Sequence, residues 1–322
     1  MVESSANILA EFSASMRRLT AINPATLEAP HIGLAVSGGP DSLALLLLAH
    51  QAFPKAIHAA TVDHELRPEA NDEAHYVAGL CAERGIPHAI LKPERPITGN
   101  LQSAARDARY GLLHKWAASH GLNWIATAHH ADDQLETLLM RIARGSGIAG
   151  LSSIRETNGR IIRPLLGFTK AQLVAVCQEQ GVIPCEDPSN ANVDFDRVQI
   201  RNWLKTAPPL LNAARVSRTV DAVREAHEAL EWMAARLQPE RIAVSENPGT
   251  TLDPAGLPPE LVRRLLIRAL QSQDAHIAPR GETIDRALET LAAGGKLSVG
   301  NLLCTGGTLW HIEPAPLRGE NR

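Results

Sequence analysis

Val36-Ser37-Gly38-Gly39-Pro40-Asp41-Ser42, followed by Leu43-Ala44-Leu45-Leu46-Leu47-Leu48, is the stretch on which the fold turns. His31 to Val36 is a short apolar run of strand type. The leucines after Ser42 predict a buried helix reaching about Ala52. Between them, small residues let the backbone approach an anion, and the unpaired N–H groups of the first helical turn can hold it. This is not a Walker loop, because Pro40 follows Gly39 and the lysine of G-x-x-x-x-G-K-S/T is missing. A Rossmann G-x-G-x-x-G is absent as well. Asp41 instead sets a carboxylate beside the phosphate position. That is tolerable only with a cation between them, and Mg²⁺ or a substrate ammonium would serve.

Outward from this loop, strand and helix alternate. A second strand, Ala56 to Val62, ends in Asp63-His64. A helix from Glu69 to Arg84 stops before Gly85, and Pro87 to Leu91 is a third strand. A long helix, Leu101 to His120, stops before Gly121. Leu122 to Ala128 is a fourth strand, and a helix begins near Ala131. The fold class expected is α/β, a parallel sheet with helices on both faces. Ligands in such sheets sit beyond the carboxyl ends of the strands. Polar clusters follow two of the four strands there, SGGPDS after the first and HHADDQ after the fourth.

The pattern changes after Gly145. Gly145 to Gly150 reads as loop, Arg160 to Leu165 as a last strand, and Thr169 to Gln180 as a helix. Pro184 to Asn192 is turn chemistry. A domain of residues 1–207 is therefore expected, followed by a smaller, mainly helical domain of residues 208–322. Its helices are Ala213 to Leu237, Pro259 to Ser272 and Glu282 to Ala293, and GKLSVGNLLCTGGTLWHIEP resembles a hairpin.

The chain has 322 residues and 44% hydrophobic content, enough for a sizeable core. Aromatics at 3% argue against a broad base-stacking platform. The net charge is only −3, but it is unevenly spread. Arg141 to Lys170 carries six basic residues and one acid, and Arg197 to Arg224 again six and one, a local +5 in each. Such clusters suit a solvated face or a phosphate backbone. The four cysteines, Cys81, Cys177, Cys185 and Cys304, form no C-x-x-C, which argues against zinc, iron–sulfur and secreted disulfide frameworks. The longest apolar run, Leu43 to Ala49, is far short of the about 20 residues a bilayer span needs. The opening MVESSANILAEF lacks the basic-then-apolar order of a signal peptide, so a cytoplasmic protein with no membrane partner is expected.

Ser-Gly-Gly-x-Asp-Ser, residues 37–42, resembles the signature of PP-loop ATP pyrophosphatases, which cleave ATP between the α- and β-phosphates and adenylate a carbonyl or carboxylate. Other segments resemble the tRNA(Ile)-lysidine synthase family within that superfamily. Val62-Asp63-His64-Glu65-Leu66-Arg67 is similar to its V-D-H-x-L-R, and Ala126 to Thr137 (ATAHHADDQLET) to its A-x-A-H-H-x-D-D-x-x-E-T. Arg144-Gly145-Ser146-Gly147 with Gly150-Leu151, Ile162-Arg163-Pro164-Leu165-Leu166 and Glu186-Asp187-Pro188-Ser189-Asn190 complete the set. Order and spacing agree from residue 31 to about 211.

The resemblance implies a PP-loop, adenine nucleotide α-hydrolase-like fold with ATP and Mg²⁺ as cofactors. It implies L-lysine and tRNA(Ile) with a CAU anticodon as substrates. The lysine ε-amine would replace the 2-oxo group of the wobble cytidine through an adenylated intermediate, releasing AMP and pyrophosphate. Identity would thereby switch from Met to Ile, and the C-terminal helices would contact the tRNA. The sequence is also compatible with a homodimer.

Ser37, Gly38, Gly39, Pro40, Asp41 and Ser42 would form the nucleotide site. Asp41, Arg109, His129, Asp133 and Arg201 would be the catalytic set, and no metal-ligating residue is expected. The amine must lose a proton and the charges of lysine must be held, tasks that suit the carboxylates Asp41 and Asp133. His129 and Asp133, spaced i,i+4, share a face if their helix starts early enough. Asp132 suits an N-cap, His130 a packing or carbonyl-bonding role, and Glu136 support of its helix. A metal site from His129, His130, Asp132 and Asp133 is disfavoured because adjacent histidines diverge. Arg109, with Arg106 one turn earlier, matches an Arg-Tyr that the family keeps near ATP. Arg197 and Arg201 match the outer arginines of its R-N-R-I-R, with Val198 and Gln199 replacing the middle Asn and Arg. Glu65 stands where glycine is usual.

Three rival readings are weaker. Cytidine 2-thiolation calls for cysteines in C-x-x-C. A small-molecule amide synthetase such as NAD synthetase leaves the arginine clusters without a purpose. A catalytically dead tRNA-binding module does not explain the intact Ser37, Asp41 and Ser42.

Overall fold

The computed structural model describes residues 5–21, 31–65, 69–94, 101–152, 154–185, 196–206, 211–244 and 249–316. Leu66-Arg67, Glu186 to Asn190 and the boundary expected between residues 207 and 208 lie outside these residues. Helix α1 (Ser5–Thr20) precedes β1 (Ile32–Ala35), α2 (Pro40–Ala52), β2 (Ile57–Val62), α3 (Glu69–Glu83), β3 (His88–Leu91), α4 (Leu101–Ser119), β4 (Trp124–Ala126) and α5 (Ala131–Ala143). Next come a single turn, α6 (Ile148–Leu151), the strands β5 (Thr157–Asn158) and β6 (Ile161–Ile162), then α7 (Lys170–Glu179), α8 (Asp196–Thr206) and α9 (Ala213–Arg241). The chain continues through β7 (Ile242–Val244), β8 (Thr250–Leu252), α10 (Pro259–Gln273), α11 (Gly281–Ala292), β9 (Lys296–Val299), β10 (Leu302–Thr305) and β11 (Trp310–Pro314). Two compact units result, Met1–Arg144 with Ser153–Val220, and Gly145–Ser152 with Asp221–Arg322.

The first unit is built on a six-stranded sheet of order β3-β2-β1-β4-β6-β5. Every pairing is parallel except that of β5 with β6. The chain starts at β1, adds β2 and β3 on one side, then crosses to place β4 on the other. The strand order therefore reverses between β1 and β4, the position where such sheets open a ligand crevice.

Leu43 to Ala49 of α2 are buried without interruption. A helix apolar all round must be enclosed, and this one shares a core with Phe12 and Met16 of α1, Leu34 of β1, and Leu173 and Cys177 of α7. The opposite face of the sheet is covered by α4, whose Leu113, Trp116 and Ala117 pack with Ala60, Ile125 and Ile161. That packing is close at Gly33, where an added Cβ would lie 2.5 Å from the Trp116 ring. Gly33→Ala is thus expected to destabilise the protein by about 1–3 kcal/mol through overpacking. The check is a lower urea midpoint at unchanged slope.

Glu65 follows β2 with φ +54°, a left-handed backbone that disfavours any side chain. Its N–H donates to Asp63 Oδ1 at 2.9 Å, which closes the turn. The glycine usual in the family at this position suits that conformation. Glu65→Gly is expected to raise stability by about 0.5–1 kcal/mol, measured by thermal or urea unfolding. The 3.0 Å contact of Glu65 with Lys92, lost in this variant, is exposed and contributes little.

In the second unit the expected hairpin belongs to a larger, five-stranded antiparallel sheet of order β7-β8-β11-β10-β9. Its inward side chains alternate with outward ones, as in buried Trp310 and Ile312 beside exposed His311 and Glu313. They share a core with Leu265, Leu266 and Leu270 of α10 and Ile284 and Leu291 of α11. The C-terminal region thus combines helices with a small sheet.

Candidate active site

Val36 to Gly39 turn the chain from β1 into α2. Gly38 has φ +82°, and a Cβ there would meet Cys185 Sγ at 3.3 Å. The Cys185 N–H donates to the Gly38 carbonyl at 3.0 Å and braces the turn. The Ser42 hydroxyl accepts from the Ser37 N–H and donates to the Gly39 carbonyl, each at 3.0 Å, and lies 3.2 Å from the Ser37 hydroxyl. Gly39 is the N-cap of α2 and provides no capping side chain. Pro40 begins the helix, where its missing N–H is harmless. The N–H groups of this first turn are left for an anion.

The HHADD segment follows β4, which pairs with β1. Helix α5 starts at Ala131 with His130, not Asp132, as its N-cap. Asp133 is the third residue of the helix and accepts from the His130 N–H at 3.1 Å. Asp132 accepts from the Lys170 N–H at 2.7 Å. His129 precedes the helix, so the condition for sharing a helical face with Asp133 is not met.

His130 occupies the centre of the acidic residues. Its Nε2 lies 3.4 Å from Asp41 Oδ2 and 3.7 Å from Asp133 Oδ2, and its Nδ1 is 3.5 Å from Asp132 Oδ2. Burial alone would lower its pKa. Hydrogen bonding to Asp132 and Asp41 and the charge of Asp133 overcome burial and raise it to about 10. His130 is therefore an imidazolium at neutral pH that links the loop carboxylate to those of α5. Burial likewise opposes ionisation of Asp132, but His130 and the Lys170 N–H hold its carboxyl below its usual range. The other oxygen of Asp41, Oδ1, is buried and has no hydrogen-bond partner among the described residues. An oxygen so placed fits a cation.

Glu136, one turn beyond Asp132 on α5, is 4% exposed and anchors α8. It accepts from Arg197 Nε at 2.8 Å and from Arg201 Nε and Nη2 at 2.8 and 3.0 Å. Arg197 also reaches Asp133 Oδ1 at 3.3 Å. The two outer arginines of the α8 motif thus converge on one carboxylate. Val198, between them, is buried, whereas Gln199 is exposed.

A basic group borders the same edge of the sheet. Arg106 and Arg109 of α4 stand over the Tyr110 ring, 5.0 and 5.6 Å from its centroid. Arg163, the residue after β6, is 7% exposed. Burial, reinforced by the charges of Arg163, Arg109, Arg106 and Arg197, pushes His129 down to about 3, so its imidazole is neutral. Its Nδ1 is 2.9 Å from the Thr127 hydroxyl. His64, after β2, is also lowered by burial and by Arg109, against the opposing charge of Asp63.

Of the residues singled out in the sequence, the loop 37–42 and Asp133 meet through His130, while Arg109 and His129 lie in the basic group. Arg201 pairs with Glu136. The sequence reading gave His130 and Glu136 only supporting roles and placed Arg163 only in a matched motif and a basic segment. The alternating strands carried a signal for them, since His130 and Arg163 both follow strands at the carboxyl edge.

A family model described as a PP-loop domain matches residues 11–207. The tRNA(Ile)-lysidine synthase of Zymomonas mobilis subsp. mobilis is 41% identical over 297 residues, covering 89% of this chain and 89% of that protein. The tRNA(Ile)-lysidine synthase of Novosphingobium aromaticivorans is 40% identical over 297 residues, covering 90% of each. The structure of U34-tRNA thiolase NcsA from Methanococcus maripaludis with its 4Fe-4S cluster resembles this one in fold alone. Its TM-score is 0.53 at 17% identity, covering 67% of this chain and 78% of that chain. With such identity sustained along nearly the whole chain, the protein belongs to the tRNA(Ile)-lysidine synthase family and carries that family's PP-loop domain.

Proposed function

We propose that the protein is an ATP-dependent ligase that joins lysine to C2 of the wobble cytidine of tRNA(Ile) with a CAU anticodon, in the cytoplasm. The observation that carries this reading is the meeting of the PP-loop with Asp41, His130 and Asp133 at the switch point, in a chain of this family.

The first-turn N–H groups of α2, with Ser37 and Ser42, hold the ATP phosphates. Arg109 supplies positive charge for the α-phosphoryl group and the departing pyrophosphate. Asp41 Oδ1, buried and without a partner among the described residues, is the oxygen that would hold Mg²⁺ brought with ATP, and the ion would neutralise charge on the phosphoryl oxygens. Such an ion needs only one or two protein carboxylates beside the phosphates. The ring oxygen of cytidine is a poor leaving group until adenylated; AMP then departs as the amine attacks. Asp133 lies beside the cationic His130 and Arg197, holds the lysine ε-ammonium, and takes up its proton as it attacks. Arg201 acts as a positioning residue through Glu136. His129, kept neutral, accepts or donates a hydrogen bond without adding charge.

Residues 1–207 carry the chemistry in this reading, and residues 208–322 contact the tRNA. Exposed arginines of the two +5 segments, among them Arg141, Arg160, Arg215 and Arg218, hold tRNA phosphates, a salt-sensitive and sequence-independent contribution. The wobble base, lying in a single-stranded loop, is splayed into the pocket. Burial pushes the thiols of Cys81, Cys177 and Cys304 up to about 11, far from the thiolate that thiolation needs, and Cys185, beside Gly38, has no second cysteine in C-x-x-C spacing.

The test is incubation with tRNA(Ile) transcript, ATP, Mg²⁺ and labelled lysine. Label is expected in the tRNA, with one AMP and one pyrophosphate released per lysine. ATP cleavage that depends on sulfide, or no cleavage at all, rejects the reading.

A further inference from the structure

Arg106, Arg109 and Arg163 form a group of like charges for which the described residues offer no carboxylate within ion-pairing distance. Among the described residues, Arg163 Nη1 donates to the Arg155 carbonyl at 2.6 Å and the guanidinium faces the Tyr110 hydroxyl, while its Nε is buried without a partner. The Nε of Arg109 is in the same condition. Burial and the neighbouring Arg106 both disfavour the charge on Arg163, with only Tyr110 opposing them. Burying a guanidinium is costly unless an anion compensates it. The arrangement is stable as a binding site and poor as a structural element.

The size and shape of the missing anion follow from the surroundings. Arg163 is too enclosed for a polymer backbone to lie against it. The ATP phosphates already have the loop at the start of α2 and Arg109, which leaves Arg106 and Arg163. A guanidinium fork matches a planar carboxylate through two parallel bonds. The substrate set supplies one small carboxylate, on lysine. Lysine would then lie between two poles, its ε-ammonium toward Asp41 and Asp133 and its carboxyl end toward the arginines. His129 joins the two, adjacent to His130 in the chain and within the field of Arg163 and Arg106.

We propose that Arg106 and Arg163, grouped around Tyr110, bind the α-carboxylate of the lysine substrate and so direct its ε-amine, rather than its α-amine, to the reacting carbon. This rests on the reading of the protein as a lysine ligase.

The test compares lysine with lysinamide and 1,5-diaminopentane, both lacking the carboxylate, on the wild-type enzyme, then on Arg106→Met and Arg163→Lys. The wild type is expected to disfavour both analogues by about 10²-fold or more in kcat/KM, because they leave the arginines unpaired. Each variant is expected to raise the KM for lysine about 10- to 100-fold and to narrow that discrimination. Adenylation of the tRNA from α-labelled ATP, measured without lysine, is expected to stay intact. Analogues used as well as lysine by the wild type overturn the proposal. So does a loss of adenylation at unchanged lysine KM, which assigns the cluster to a phosphate of ATP or tRNA. If the wild type transfers no lysine while the fold is intact, the ligase reading itself fails, and this inference with it.

Discussion

Asp41→Asn is expected to lower lysine transfer by about 10²–10⁴-fold while leaving tRNA affinity within a few-fold of the parent. The substitution keeps the shape of the side chain, the Gly39 and Pro40 start of α2, and the Ser37–Ser42 hydrogen bonds that close the loop. What it removes is a negative charge beside the phosphate site. The fold tolerates that loss, because His130 retains Asp132 and Asp133 as charged neighbours. Chemistry does not, because Asp41 Oδ1 is the buried acceptor that answers a cation beside the α-phosphoryl group. Transfer kinetics, tRNA binding by filter retention and thermal unfolding separate these effects. A parallel fall in tRNA affinity and melting temperature would give Asp41 a structural role. Unchanged transfer would remove it from the mechanism.

Much of the first unit was legible because its elements carry strong signals. The apolar run after Ser42 could only be an enclosed helix, and short apolar segments between helices could only be buried parallel strands. Elsewhere the signal was weaker. The strand expected over Arg160 to Leu165 is formed only at Ile161 and Ile162, since Pro164 cannot donate to a ladder. Helix α1 was not expected from the sequence, although its Phe12 and Met16 complete the core. In the second unit, β7 and β8 have three residues each, too few for any alternation to register.

In the site, sequence fixed which residue types follow which strand but not where the charges meet. Spacing suggested that His129 faces Asp133. The helix begins two residues after His129, so His130 makes that contact instead. That no described carboxylate pairs with Arg163 is a property of three elements far apart in the chain, α4, β6 and the segment after β4, and no local pattern encodes it.

Glu136→Ala is the substitution of α5 expected to do most damage, about 2–4 kcal/mol of stability together with a large loss of transfer activity. Glu136 accepts three charge-assisted hydrogen bonds from two arginines on successive turns of α8. Removing it sets Arg197 and Arg201 side by side with no shared anion. Both arginines are about one-third exposed, at 38% and 32%, so water recovers part of the cost and the full penalty of a buried orphan charge is not reached. Arg197 has a second partner in Asp133, at 3.3 Å. Freed from Glu136, it binds that carboxylate more closely and competes with the lysine ammonium, so the KM for lysine should rise. Arg201→Ala should cost less stability than Glu136→Ala, because Arg197 still satisfies the buried carboxylate. In the double variant the losses should fall short of additive by about 1 kcal/mol or more, as expected for groups in direct contact. Additive losses, measured by urea unfolding of all four proteins, would mean that Arg201 acts independently of Glu136. It would then belong with the residues that touch substrate rather than with those that position α5.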